Sequence, residues 1–552
     1  MSRLPFLLSA LALGLLTGCT SSAGLGGGGN DALVSVQATY QKEVLAPNGT
    51  HGTSTLPARY CYVEFRDASS NAVVGDSGYL DGSGQGTFRV PAGSSVYARV
   101  VADWAVPGTS AGAPDVMRGF TVNAPYGTDF NSTVDWSVTS ATFTASNGSL
   151  AVQALDDSSH IAGAFAIADQ GVTFALGLRN VAPTATLPSV AMYWSTSTNP
   201  ADQARAYPTA VYSGANLVTV GGRALFEASV FGNPSHAANT EEDQWDDGTL
   251  GETYAHLLFA PNSYKADGSS SLSWLRADTE NVAFLSLAGP SEPSQAFVAG
   301  FSDFLSAAFR NDPRILDSYF DAGGVLRVQD EDLSVPDNTL GEFSRLGVAG
   351  SLWSMWQGAL GGGSAGLQTL FQEASAGPRP TLDFVGDYLG APLGCYPTYL
   401  VGLRADTGSA WNSCLPALSA WGVSNPTSLY FSGTTLWTNE PGSFSISGSL
   451  TLPATPAELS RCYDRAGAAL YRFTQGSTAT RTITLTPSGQ DMELDLIGPN
   501  GPVAFSYASP FGLARTLTPT LSPGDYVIRV RANPDNTLSR TAGTYSYSLS
   551  LN

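Results

Sequence analysis

Glu252-Thr253-Tyr254-Ala255-His256 places a carboxylate and an imidazole four positions apart. On a helix, residues i and i+4 share one face. Glu252 and His256 could therefore grip one metal ion if a further ligand came from elsewhere. His160, His236, Asp246 and Asp247 are the candidates for that ligand. The competing reading makes His256 an ordinary histidine on an unrelated helix. Thr253, between the two, is no general base, because its hydroxyl is neutral at working pH. Other chemistries find less support. No Gly-x-Ser-x-Gly turn occurs, and with four histidines in the chain a Ser-His-Asp triad has few bases to draw on. Gly26 to Gly29 precede no helix and form no phosphate loop. Asp330-Glu331-Asp332 could touch calcium, as could Asp491, Asp495 and Asp525, although a solvated loop is the plainer reading of the first group. Trp411, Trp421 and Trp437 could stack on a sugar but suit packing better.

Three helical stretches must position this chemistry. Leu250, Tyr254, Leu257 and Leu258 repeat at helical spacing. Phe297, Phe301, Phe304, Leu305, Ala308 and Phe309 do the same, with Ser291 or Ser294 as a cap and Asp312-Pro313 as a stop. A third stretch, about 342 to 360, carries Leu346, Ala349, Leu352, Trp353 and Trp356 on one face and ends at Gly361-Gly362-Gly363. Before these helices the chain reads as short strands, among them Tyr60-Cys61-Tyr62-Val63-Glu64-Phe65 and Val96-Tyr97-Ala98-Arg99-Val100-Val101. Residues 146 to about 240 mix short helical and extended pieces. From about 430 strands return, as in Met492-Glu493-Leu494-Asp495-Leu496-Ile497 and Asp525-Tyr526-Val527-Ile528-Arg529-Val530.

The 552 residues suffice for three or four domains. Formal net charge is −20 and only Lys42 and Lys265 are lysines, so nucleic acid is not an expected partner. Arg3 followed by an apolar run to Leu16 has the layout of a secretory leader and is too short for the roughly 20 residues of a membrane span. No later segment is expected to be long and apolar enough for a transmembrane helix. A Gly/Ser tether follows from residue 20. Apart from Cys19, four cysteines remain. In an oxidising compartment an even number suggests disulfides, Cys395 with Cys414 and then Cys61 with Cys462, the latter two otherwise staying as buried thiols.

Several stretches resemble known families. Leu16-Thr17-Gly18-Cys19 resembles the bacterial lipobox, which implies that Cys19 is lipidated. The strand and turn order over about 60 residues before 145 resembles the carboxypeptidase-regulatory-like β-sandwich. Ala469-Leu470-Tyr471-Arg472-Phe473, Asp495-Leu496-Ile497-Gly498-Pro499-Asn500-Gly501 and Ser522-Pro523-Gly524-Asp525-Tyr526 resemble the bacterial pre-peptidase C-terminal domain. Asp246-Asp247-Gly248-Thr249-Leu250-Gly251 leading into Glu252 to His256 resembles the start of a gluzincin zinc-peptidase helix, His-Glu-x-x-His. Ala299-Gly300-Phe301-Ser302-Asp303-Phe304 resembles that family's third-ligand helix, and Leu352-Trp353-Ser354 its later Leu-Trp-Asp. The resemblance implies degenerate chemistry. Glu252 stands for the first His ligand, Thr253 for the catalytic Glu and Ala299 for the third ligand, and His256 alone is kept.

The expected fold is multidomain α+β, two β-sandwich domains flanking a mainly helical metallopeptidase-like domain. Its parts are a lipoprotein signal peptide (1–19), a tether (20–31), a first sandwich (32–145), the peptidase-like domain (146–430) and a second sandwich (431–552). The expected function is that of a catalytically degenerate cell-envelope lipoprotein with a binding or structural role. An active metal-dependent hydrolase with a rebuilt site and a surface-layer component are the alternatives. No cofactor is expected; zinc or calcium would belong to the alternatives. Expected partners are a membrane, through the lipid, and a cell-surface protein or glycan. The expected location is the outer membrane or cell surface.

Overall fold

The computed structural model describes residues 31–45, 51–110, 112–124, 134–156, 159–185, 187, 189–194, 211–212, 218–220, 223–230, 238, 240–256, 258, 293–342, 344–375, 396–423, 438–452, 468–488, 492–498, 501–506, 513–532 and 543–552. Cys19, the tether, His236, Leu257, Ser291, Cys395, Trp437, Cys462 and Asp491 lie outside them.

The chain is mixed α/β, with two separate large apolar cores. The strand Asp31–Leu45 alternates exposed and buried positions, sending Val34, Val36, Ala38 and Tyr40 inward, as a period of two requires. It pairs antiparallel with His51–Pro57 and Gln85–Pro91, and parallel with Gly148–Ala154. In a second sheet, Ser95–Val106 lies between Cys61–Asp67 and Met117–Val122, and Met117–Val122 pairs parallel with Ser189–Tyr193. The pairings of Gly148–Ala154 and Ser189–Tyr193 carry both sheets past residue 145. Their buried residues join those of the helices, from Ala32 to Val423, in one core.

Parallel pairing needs a long crossover, and α1 (Ile161–Val181) lies within it. This helix corrects two expectations. It is a single 21-residue helix where short pieces were expected, and it is long and apolar enough to cross a membrane. Most of it is buried inside the protein, however, as expected for the central helix of a core. Thr121 Oγ1 and Tyr254 Oη donate to its Ala164 and Ile167 carbonyls at 3.1 and 3.2 Å. At Gly171 a Cβ would stand 2.3 Å from the Trp104 ring, so only glycine lets strand and helix meet so closely.

The expected helices form as α2 (Asp247–His256), α3 (Pro293–Arg310) and α4 (Arg345–Ser354). Ser344 caps α4 by accepting from Gly347 N. A π-helical turn, Met355–Ala359, extends α4, and Gly361, Gly362 and Gly363 then take positive φ, which ends it. Gly363–Ser375, Tyr396–Thr407 and Trp411–Ala420 complete the described helices. Trp411 and Trp421 are core residues.

The second core lies within 431–552. It joins Leu450, Ile483, Leu485 and Leu549 of one sheet with Phe473, Leu494, Leu496, Ile528 and Val530 of another, the composition of a two-sheet packing.

Candidate functional site

The α2–α3 contact sets the site. Ser306 Oγ on α3 donates to the Gly248 carbonyl on α2 at 2.9 Å. One turn along, Glu252 of α2 and Asp303 of α3 share the guanidinium of Arg345 from the first turn of α4. The two helices therefore run antiparallel.

Arg345 Nε and Nη2 donate to the two Asp303 oxygens at 2.5 and 2.7 Å, and Nη2 donates also to Glu252 Oε2. Glu252 Oε1 lies 3.0 Å from His256 Nε2. Both oxygens of Glu252 are thus engaged. Arg345 and Asp303 are almost fully buried, and a buried ion pair holds only when its lone pairs and protons are satisfied this way. Burial pushes the Glu252 carboxyl up, but Arg345 and His256 outweigh it and hold the group below its ordinary value. Burial alone would lower the Arg345 pKa; the two carboxylates raise it instead.

These residues do not suit a zinc ion. A catalytic zinc needs about three protein ligands and an open position. Ala299 has no donor atom and is buried, Thr253 donates back to the Thr249 carbonyl at 2.9 Å, and a guanidinium already neutralises Glu252. Among the described residues, the extra ligands proposed from the sequence have other partners or positions, and His236 lies outside those residues. Asp247 binds Lys42 and Gln170, Asp246 binds Ser318, and His160 stands in a left-handed conformation at the residue before α1, with no side-chain capping bond. Arg345 and Asp303 are the functional residues that sequence reasoning missed. A signal existed: an arginine in the first turn of a helix opposes the helix dipole, and its presence there implies acidic partners.

Among the described residues no disulfide is found, and Cys395 and Cys462 lie outside them. Cys61 and Cys414 are free, buried thiols. Cys61 points into the first core from its strand, and burial raises its pKa. Cys414 Sγ donates instead to the Ala410 carbonyl one helical turn back. The calcium readings at the other acidic groups also change. Asp330 and Asp332 lie on a strand, Leu326–Asp332, and flank Arg314 at 3.5 and 3.8 Å. Asp495 holds Arg529 at 2.5 Å, and Asp525 accepts from Thr474 and Arg472.

A different acidic group does converge. Asp243, Asp246 and Asp317, all buried, bring one carboxylate oxygen each within 4.8 Å of one another.

No family model matches the chain, and no curated protein matches it. Among solved structures, the pre-peptidase C-terminal domain of collagenase from Bacillus anthracis is similar, at 18% identity over 22% of this chain and 100% of that chain, with a TM-score of 0.17. PliG from Aeromonas hydrophila, a periplasmic inhibitor of g-type lysozyme, is similar at 17% identity over 21% of this chain and 94% of its own, with a TM-score of 0.14. The Salmonella Typhimurium PliG gives 16% identity over 22% and 100%, with a TM-score of 0.15.

Proposed function

We propose that this chain is a non-catalytic lipoprotein of the cell envelope, anchored through Cys19, whose peptidase-like helix pair serves as structural core. One observation carries the reading: the Arg345 guanidinium, bound to Glu252 and Asp303, stands where metal chemistry would need free ligands. The burial of Glu252, Thr253 and Ala299 favours a structural role over ligand binding between these helices. Recognition of a surface protein or glycan would then fall to the outer faces of the protein. The finer domain reading, a carboxypeptidase-regulatory-like module before the helices and a pre-peptidase C-terminal module after them, belongs to this proposal.

The test uses the full-length chain in its host. Wild type should sediment with membranes, and Cys19→Ser should move to the soluble fraction. Purified wild type, supplied with zinc, should hydrolyse denatured protein no faster than His256→Ala. Zinc-dependent hydrolysis that His256→Ala abolishes would overturn the non-catalytic reading, and an unchanged membrane fraction for Cys19→Ser would overturn the anchor.

A further inference from the structure

We infer that Asp243, Asp246 and Asp317 bind one oxygen-seeking divalent cation, with calcium the best fit. The turn before α2 creates the group. Trp245 N donates to the Glu242 carbonyl at 2.9 Å and Asp246 N to the Asp243 carbonyl at 3.2 Å, which folds the two aspartates toward one side. Glu242 N then donates to the Ser318 carbonyl at 3.1 Å and fastens the turn to the strand Arg314–Phe320, which carries Asp317.

Two independent observations point to a cation. The first is spacing. Calcium holds oxygens at about 2.3–2.6 Å, so its ligands lie up to about 5 Å apart across the ion; three oxygens mutually within 4.8 Å fit one such sphere. The second is Asp317. It is 3% exposed, and neither carboxylate oxygen accepts a hydrogen bond. A buried carboxylate in that state needs a proton or a cation. The nearby guanidinium of Arg345 is already bonded to Asp303 and Glu252. Asp246, by contrast, is oriented by Ser318, whose N and Oγ donate to it at 2.6 and 2.9 Å, and carboxylate oxygens bonded this way keep lone pairs for a metal. The group offers carboxylate oxygen alone, with no His or Cys, which selects calcium, magnesium or manganese over zinc or copper. The bound ion would tie the entry of α2 to the strand beside it. The site shares no ligand with Glu252 and His256, so it stands apart from the proposed function.

The experiment grows cells with calcium, magnesium or manganese, purifies the full-length chain in detergent without chelator, and measures metal per chain by mass spectrometry after dialysis. About one ion per chain is expected from at least one of the three, with Asp317→Asn reducing it about tenfold or more at an unchanged far-UV spectrum. Prolonged EGTA should lower the melting temperature of wild type and leave that of Asp317→Asn unchanged. No ion retained by wild type, or equal retention by Asp317→Asn, overturns the site. If Asp317→Asn does not fold, terbium emission sensitised by Trp245 in wild type decides: emission that calcium displaces supports the site, and its absence overturns it.

Discussion

Replacing Arg345 with methionine lowers the stability of the first core by about 3–5 kcal/mol at neutral pH, because it leaves Glu252 and Asp303 buried without a counter-charge. Urea unfolding followed by tryptophan fluorescence measures the loss. Among the described residues every tryptophan lies in the first core and none in the second, so those eight report on the unit that holds the network. The triple change Glu252→Gln, Asp303→Asn, Arg345→Met should recover most of the loss, since removing all partners leaves no orphaned charge. The effect of Arg345→Met should also shrink as pH falls. In wild type Glu252 is held below its ordinary pKa, so its contribution is present above the unfolded value and is lost as pH falls through the folded one. In the variant the uncompensated carboxyls protonate more readily, and the penalty fades as pH falls through the lowered pKa of wild-type Glu252. A loss below about 1 kcal/mol at pH 7 would mean that Arg345 is solvated and the network is not a structural core.

The second large effect is at Trp104. Its ring is fully buried, packs edge-on to Tyr254 with centroids 6.2 Å apart, and fills the space that Gly171 leaves beside α1. Trp104→Ala should cost about 3–5 kcal/mol. It should also weaken strands and helices together, because one side chain from the strand Ser95–Val106 touches both α1 and α2. Hydrogen exchange reads this directly: protection should fall in Ser95–Val106, α1 and α2 by the same amount. Loss confined to the strands before residue 145 would restore a separate first sandwich and contradict the shared core.

How much of this was legible in the sequence depended on the kind of contact. The helices α2, α3 and α4 were readable because their apolar residues recur at i, i+3 and i+4, and because Asp312-Pro313 and Gly361 to Gly363 supply local stops. The helix α1 was not, since Ile161 to Leu178 is apolar or small on every side apart from Asp169, Gln170 and Thr173, and a helix buried almost all round has little periodicity to read. The pairing of Met117–Val122 with Ser189–Tyr193 was equally hidden. Parallel partners are far apart in sequence, and nothing local in either strand names the other. At the site, Glu252 and His256 were singled out from spacing and Ala299 from a resemblance; Glu252 and His256 do meet on one face of α2. Arg345, at a helix start, and Asp303, in the middle of α3, were overlooked because a charged residue on a helix reads as exposed until its partners are known. The cysteine pairing failed for a related reason: an even count says nothing of where Cys61 and Cys414 point, and both point into the core.

The most direct measurement of the central claim, that an ion-pair network stands in place of a metal centre, is the zinc content of the full-length chain after zinc exposure and extensive dialysis, compared between wild type and His256→Ala. Equal content in the two, with none bound through His256, is the predicted result. About one zinc per wild-type chain, lost in His256→Ala, would contradict it and return Glu252 and His256 to the role of metal ligands.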